Sequence, residues 1–177
     1  AVGFAGMVLA AAALGGLWIG TVGALRIKRG VNETISSLLM AYIATALFNH
    51  FVETVFRDPA SLNKPSTAPL PEALRVGKMP IVEAHWGVAA GIVACILAWV
   101  LIERTKVGFA ARVTGDNLRA ARVQGLPVGR LVIGFTALAG ALAGLAGFFE
   151  VSAVIGSANA SLISGVGYTG ILVSFLA

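Results

Sequence analysis

Five stretches without a single Asp, Glu, Lys or Arg constrain this chain more than any other feature: residues 1–25, 34–52, 84–102, 131–149 and 151–177, each at least 19 residues long. An α-helix rises about 1.5 Å per residue, so roughly 20 apolar residues cross the hydrocarbon of a bilayer. The stretches read as membrane spans. Composition agrees: 12% of the residues are charged and 58% hydrophobic, against about a quarter charged in soluble domains. The expected fold is therefore all-α, a polytopic transmembrane helix bundle with spans over about 1–25, 31–52, 82–102 and 131–151. The last stretch is open to two readings. Ser157, Asn159, Ser161, Ser164 and the glycines 156, 165, 167 and 170 suit protein or a wet cavity better than lipid, whereas 171–177 is apolar. A broken or re-entrant segment fits as well as a partial fifth span over 158–177. The chain opens on Ala and ends inside an apolar stretch, which reads as part of a longer protein.

Charge asymmetry orients the spans. Arg26, Lys28 and Arg29 follow the first span against Glu33 alone. Arg104, Lys106, Arg112, Arg119, Arg122 and Arg130 follow the third against Glu103 and Asp116. Residues 53–83 balance four basic groups with four acidic ones. Basic loops stay in the cytoplasm, so the first and third spans run inward and the second and fourth outward. Residues 53–81 become an outer loop and 103–130 a cytoplasmic one. Pro59, Pro65, Pro69, Pro71 and Pro80 keep the outer loop from forming a continuous helix, leaving room for a short one near residues 72–76. His85 and Trp86 stand at the outer end of the third span, where amphipathic rings anchor at the headgroups.

The same composition excludes several functions. Cys95, the single cysteine, can form neither an intrachain disulfide nor a cysteine cluster for metal. The basic residues flank spans instead of gathering on a soluble face, so nucleic acid is not an expected partner. Both aspartates, Asp58 and Asp116, lie in loops, and His50 and Glu150 sit near span ends; no catalytic or metal constellation emerges. Gly165, Gly167 and Gly170 spell a dinucleotide fingerprint but lack the strand, helix and later acid it requires. Glycines 16 and 20, and 140, 144 and 147, recur at three- and four-residue intervals and predict close helix packing.

Two segments carry more specific signals. In the second span Thr34, Ser37, Ala41, Thr45 and Asn49 share one helical face, with Tyr42 beside it and Gly30, Asn32 and Glu33 at its start. Such a stripe either hydrogen-bonds to neighbouring helices or lines a pathway for a polar solute. In the cytoplasmic loop, Asp116 is the expected N-cap of a helix over 117–124, about 12 Å long, with Gly125 and Pro127 as its stop. Arg119 and Arg122 share one face of that helix; Leu118 and Ala121 share another.

From Thr105 onward the sequence resembles the permease subunits of ABC importers, in the branch that includes ribose, branched-chain amino acid and nucleoside permeases. The likeness rests on Arg112, Gly115, Asn117, Ala120, Ala121, Gly125 and Leu126, on the small-residue run from Gly140 to Gly147, and on Gly167-Tyr168. Gly30, Asn32, Glu33, Met40 and Tyr42, with the outer run 63–72, are similar to nucleoside-type permeases; Ala41 stands where the family carries asparagine.

The resemblance implies that Arg112, Gly115, Asp116, Asn117, Arg119, Ala120, Ala121 and Gly125 form a coupling helix that docks on a cytosolic ABC ATPase. Asn32, Glu33, Ser37, Tyr42, Thr45 and Asn49 would line the solute path. No Walker sequence G-x-x-x-x-G-K-[ST] occurs, so the chain itself is expected to bind no cofactor, with ATP held and hydrolysed by the partner. The other implied partners are an extracytoplasmic solute-binding protein and a second permease subunit, the same or homologous, in the bacterial inner membrane. Simple sugars or branched-chain amino acids are the alternative solutes, and a passive channel is the alternative mechanism.

Overall fold

The computed structural model describes residues 2–61, 65–77 and 85–159, together with Thr169, Val173 and Leu176. The dinucleotide-like glycines and nearly all of the 158–177 segment lie outside the described residues. Helix α1 spans Val2–Arg29 and ends on Arg26, Lys28 and Arg29, cations that suit the negative end of the helix dipole. Gly30, at φ +66°, turns the chain. Helix α2 then runs over Glu33–His50 and continues as a π-helical turn, Phe51–Val55. After the 3₁₀ turn Glu72–Leu74 comes α3, Trp86–Arg104, and then two short helices, α4 (Lys106–Asp116) and α5 (Leu118–Val123). Helix α6 covers Val128–Phe149 and also continues as a π turn, Glu150–Ile155. Among the described residues, four helical stretches are long and apolar enough to cross a membrane: Gly3–Arg29, Glu33–Val55, Trp86–Arg104 and Val128–Ile155.

The dominant packing is α1 antiparallel to α6. Phe4 meets Phe148 edge-on at 5.3 Å near one end, while Gly129 lies against Ile27 near the other. Between them the backbones touch. A methyl group on Gly15 would fall on the carbonyl oxygen of Gly140, one on Gly144 on that of Ala11, and one on Gly23 on the Thr136 hydroxyl. Lipid tails are as apolar as leucine, so this bundle is held by dispersion at short range instead of by expulsion of water. Of the glycines expected in the seam, Gly16, Gly20, Gly140 and Gly144 are in it. Gly147 is not, since a side chain there would meet nothing within 4 Å.

Helix α2 leans on α1 through the Trp18 indole, which donates to the Met40 carbonyl at 3.2 Å. Helix α3 has no buried residue. The outer loop is anchored by main-chain bonds to the end of α6: Thr67 N–H to Ala158 O (2.9 Å), Leu70 N–H to Gly156 O (2.8 Å) and Val76 N–H to Ser152 O (3.1 Å). The short helix expected near 72–76 is the single 3₁₀ turn.

Two substitutions test the seam. Gly144→Val should lower the thermal stability of the detergent-solubilised protein by about 1–3 kcal/mol or more, the usual cost of overpacking. Gly147→Ala should leave it unchanged or slightly raised, because alanine is the better helix former.

Candidate functional site

Two regions hold the polar groups singled out by sequence. The first is α2. Asn32 takes an extended conformation (φ −63°, ψ 123°) and its side-chain oxygen accepts from Thr34 N–H at 2.9 Å and Ile35 N–H at 3.3 Å, which makes it the N-cap. Glu33 forms an ion pair with Arg26 across the α1–α2 turn. The Ser37 hydroxyl donates back to Thr34 O at 3.0 Å. Burial divides the expected stripe: Ser37, Thr45 and Asn49 are half-buried, whereas Thr34, Ala41 and Tyr42 are exposed. The Asn49 side-chain oxygen is enclosed and has no hydrogen-bond partner among the described residues, a costly state for a buried acceptor. Ser36, which the sequence pattern passed over, is buried and donates to Asn32 O at 2.9 Å.

The second region is the segment joining α3 to α6. Sequence led us to expect one helix there, yet the structure has two. Thr105 caps α4 by accepting from Gly108 N–H at 3.0 Å and donating to Leu101 O at 2.6 Å. Gly108 lets α4 fold back on α3, since a methyl there would lie 2.6 Å from Ile102 Cα. The fold-back is pinned where one Arg112 nitrogen donates to both Glu103 carboxylate oxygens, at 2.8 and 2.7 Å. Helix α4 was missed because glycines and β-branched residues weaken its local signal.

Asp116 is not the N-cap of α5. It closes α4, and Asn117 does the capping: its backbone is extended (φ −152°, ψ 102°) and its side-chain oxygen accepts from Arg119 and Ala120 N–H, both at 3.0 Å. Gly125, at φ +76°, ends the helix, with its N–H on Arg122 O and that of Leu126 on Ala121 O, both at 3.0 Å. Only glycine adopts this conformation without strain. Ala121 is fully buried and Leu118 half-buried, as their shared face predicts; Arg119, Ala120 and Arg122 point outward. Val123 joins them at 85% exposure, an apolar group left bare on a cationic surface. Its position one residue past Arg122 could have signalled it. Gly115 has open space around it and serves no packing need in this chain.

Three cavities adjoin these regions. A groove of about 750 Å³ runs between α3 and α6, walled by Gly87, Ala90, Gly91, Ala94 and Ala98 on one side and Leu142, Leu145, Ala146 and Phe149 on the other. Its only charged or titratable side groups besides Cys95 are His85 and Glu150, at the end away from the basic segments. It offers a polar solute almost no hydrogen bonds. Two smaller cavities, about 420 and 340 Å³, lie at the basic end, and Arg26, Glu33 and Leu118 line both.

Over residues 2–177 the chain matches the family described as branched-chain amino acid transport system / permease component. It is 30% identical to a guanosine ABC transporter permease protein of Bacillus subtilis, over 96% of this chain and 49% of that protein. It is 29% identical to a glucose ABC transporter permease protein of Haloferax volcanii, over 96% and 47%. A nucleoside ABC transporter permease protein of Lactococcus lactis matches at 30% over 52% of this chain and 29% of its own length. The chain thus spans about half the length of the first two relatives. No solved structure gives a significant match.

The cap assignment is directly testable. Asn117→Ala should destabilise α5 by about 1 kcal/mol, seen as faster amide exchange at Arg119 and Ala120. Asp116→Ala should leave exchange at those two amides unchanged.

Proposed function

Because the chain belongs to the family of branched-chain amino acid transport system / permease components, we propose that it is part of the membrane-spanning subunit of an ATP-driven ABC importer that carries a nucleoside across the bacterial inner membrane. The match along residues 2–177, on a chain with four helices fit to cross a bilayer, is the observation that supports this reading most. The protein is a multi-pass membrane protein and its named relatives are transport permeases. Two of them are named for guanosine or nucleosides.

In this reading the solute passes along α2. Asn32 and Glu33 stand at the basic end, Ser37 and Thr45 along the half-buried face, and Asn49 near the far end. A nucleoside supplies N–H and O–H donors, and its base can stack on the exposed ring of Tyr42. The apolar α3–α6 groove does not serve this purpose.

Helix α5 is the coupling helix. Its exposed Arg119, Ala120, Arg122 and Val123 meet a cytosolic ABC ATPase, and its buried Ala121 fixes it to the bundle. Arg112, Gly115 and Asp116 belong to α4, which holds α5 at its distance from α3. Closure of the ATPase around ATP moves α5, and the spans reorient by alternating access. ATP is bound and hydrolysed on that partner. An extracytoplasmic binding protein delivers solute to the outer loop, and a second permease subunit completes the pathway.

The relative named for glucose favours a second reading, a permease for simple sugars. Solute-stimulated ATP hydrolysis by the purified full-length complex, measured on nucleosides, sugars and branched-chain amino acids, decides between them. A nucleoside should stimulate most; stimulation by glucose alone would transfer the assignment. In the same assay Tyr42→Ala or Asn49→Ala should weaken the apparent solute affinity about ten-fold, equivalent to about 1.4 kcal/mol, with normal assembly yield. Val123→Asp should weaken ATPase binding by a similar factor, and Gly125→Leu should abolish uptake in a permease that still inserts.

A further inference from the structure

We infer that the Arg26–Glu33 ion pair is a latch on the α1–α2 turn, and that Leu118 is the side chain through which α5 works it. This deepens the coupling reading given above and rests on it.

The pair joins two membrane helices directly across their shortest connection. Gly30 turns back at φ +66° and Asn32 caps α2, so Arg26 and Glu33, seven residues apart, face one another over the turn. Both groups line the two cavities at the basic end, and among the described residues of α5 only Leu118 lines either cavity; it lines both. The apolar end of α5 therefore stands opposite the ion pair with about 340 Å³ of free space around the turn. Arg112 also lines the larger cavity, but Glu103 engages it through both carboxylate oxygens, which leaves Glu33 to Arg26.

Three physical features suit this arrangement to a contact made and broken in each cycle. The two side chains are 36% and 47% exposed, and ion pairs open to water hold weakly. The Glu103–Arg112 pair ties α4 to α3, so displacement of α5 is passed across the cavity and not lost in movement of the whole segment. Leu118 lines both cavities beside the pair, so its advance takes up the free space at the turn and pushes the Arg26 and Glu33 side chains apart. A fixed structural pair would need none of this space. In the resting state the latch holds α1 and α2 together at their basic ends; advance of Leu118 releases them.

The test uses the full-length permease with its ATPase in proteoliposomes, in a Cys95→Ala background carrying Arg26→Cys and Glu33→Cys. Disulfide formation under mild oxidant should be rapid without nucleotide and about five-fold slower in the complex trapped with ATP and vanadate. Leu118→Ala, in complexes that retain the ATPase, should remove that difference. Separately, Glu33→Gln should raise ATP hydrolysis in the absence of solute by about two- to five-fold. The exchanged pair Arg26→Glu with Glu33→Arg should bring it back, which a packing defect would not do. Equal cross-linking rates in the two nucleotide states, or an exchanged pair as leaky as Glu33→Gln, would overturn the latch. The coupling reading fails by a different sign: a Val123→Cys label that is as reactive with the ATPase bound as without it.

Discussion

The approach of α1 to α6 at backbone distance is the contact on which the rest of the molecule depends. In hydrocarbon there is no water to expel, so helices associate only where their surfaces fit closely enough for dispersion and for carbonyl oxygens to lie against Cα hydrogens. Gly15, Gly140 and Gly144 provide that fit by carrying nothing. Both candidate regions are then fixed by position along this pair. The basic end of α1 presents Arg26 to α2, and α6 begins four residues beyond α5, so the turn and the short helix meet at the same level.

The two regions have opposite characters. Helix α2 is joined to the pair by the Trp18 bond, the turn and the Arg26–Glu33 ion pair, and its side groups are largely uncovered. The α4–α5 segment is tightly specified: two asparagine and threonine caps, a bidentate ion pair, a glycine wedged beneath α3 and a glycine in the left-handed region. The hydrogen bonds and ion pairs thus stiffen the α4–α5 segment and leave most of α2 with few ties to the other helices.

Much of this was legible in the residues. Charge-free runs of 19 or more locate the four long helices among the described residues, because a charged side chain in hydrocarbon is costly. Leu118 and Ala121 announced the inward face of α5, and Gly125 its end. What failed did so for particular reasons. Asp116 and Asn117 are both good caps, and only the backbone angles at 117 decide between them. Gly147 lies seven residues from Gly140, within about 20° of it around a helix of 3.6 residues per turn, yet a side chain there would meet nothing within 4 Å, so spacing alone does not mark where the seam ends. Arg26 and Glu33 are separated by a turn whose handedness a linear pattern does not contain. The attachment of the outer loop to 152–159 rests mainly on main-chain groups, which leave no trace in side-chain chemistry, with the Thr67 hydroxyl adding one bond by accepting from the Ala158 N–H at 3.0 Å.

That last attachment has a consequence for how such proteins diversify. Peptide groups are common to nearly every amino acid, so the bonds from Thr67, Leu70 and Val76 to the end of α6 survive most replacements between 65 and 77. The side chains of this segment are free to change, one position after another, while the loop stays moored. Only Gly156 is closed to change: it needs its left-handed backbone, and the Arg75 guanidinium already occupies the place its side chain would take.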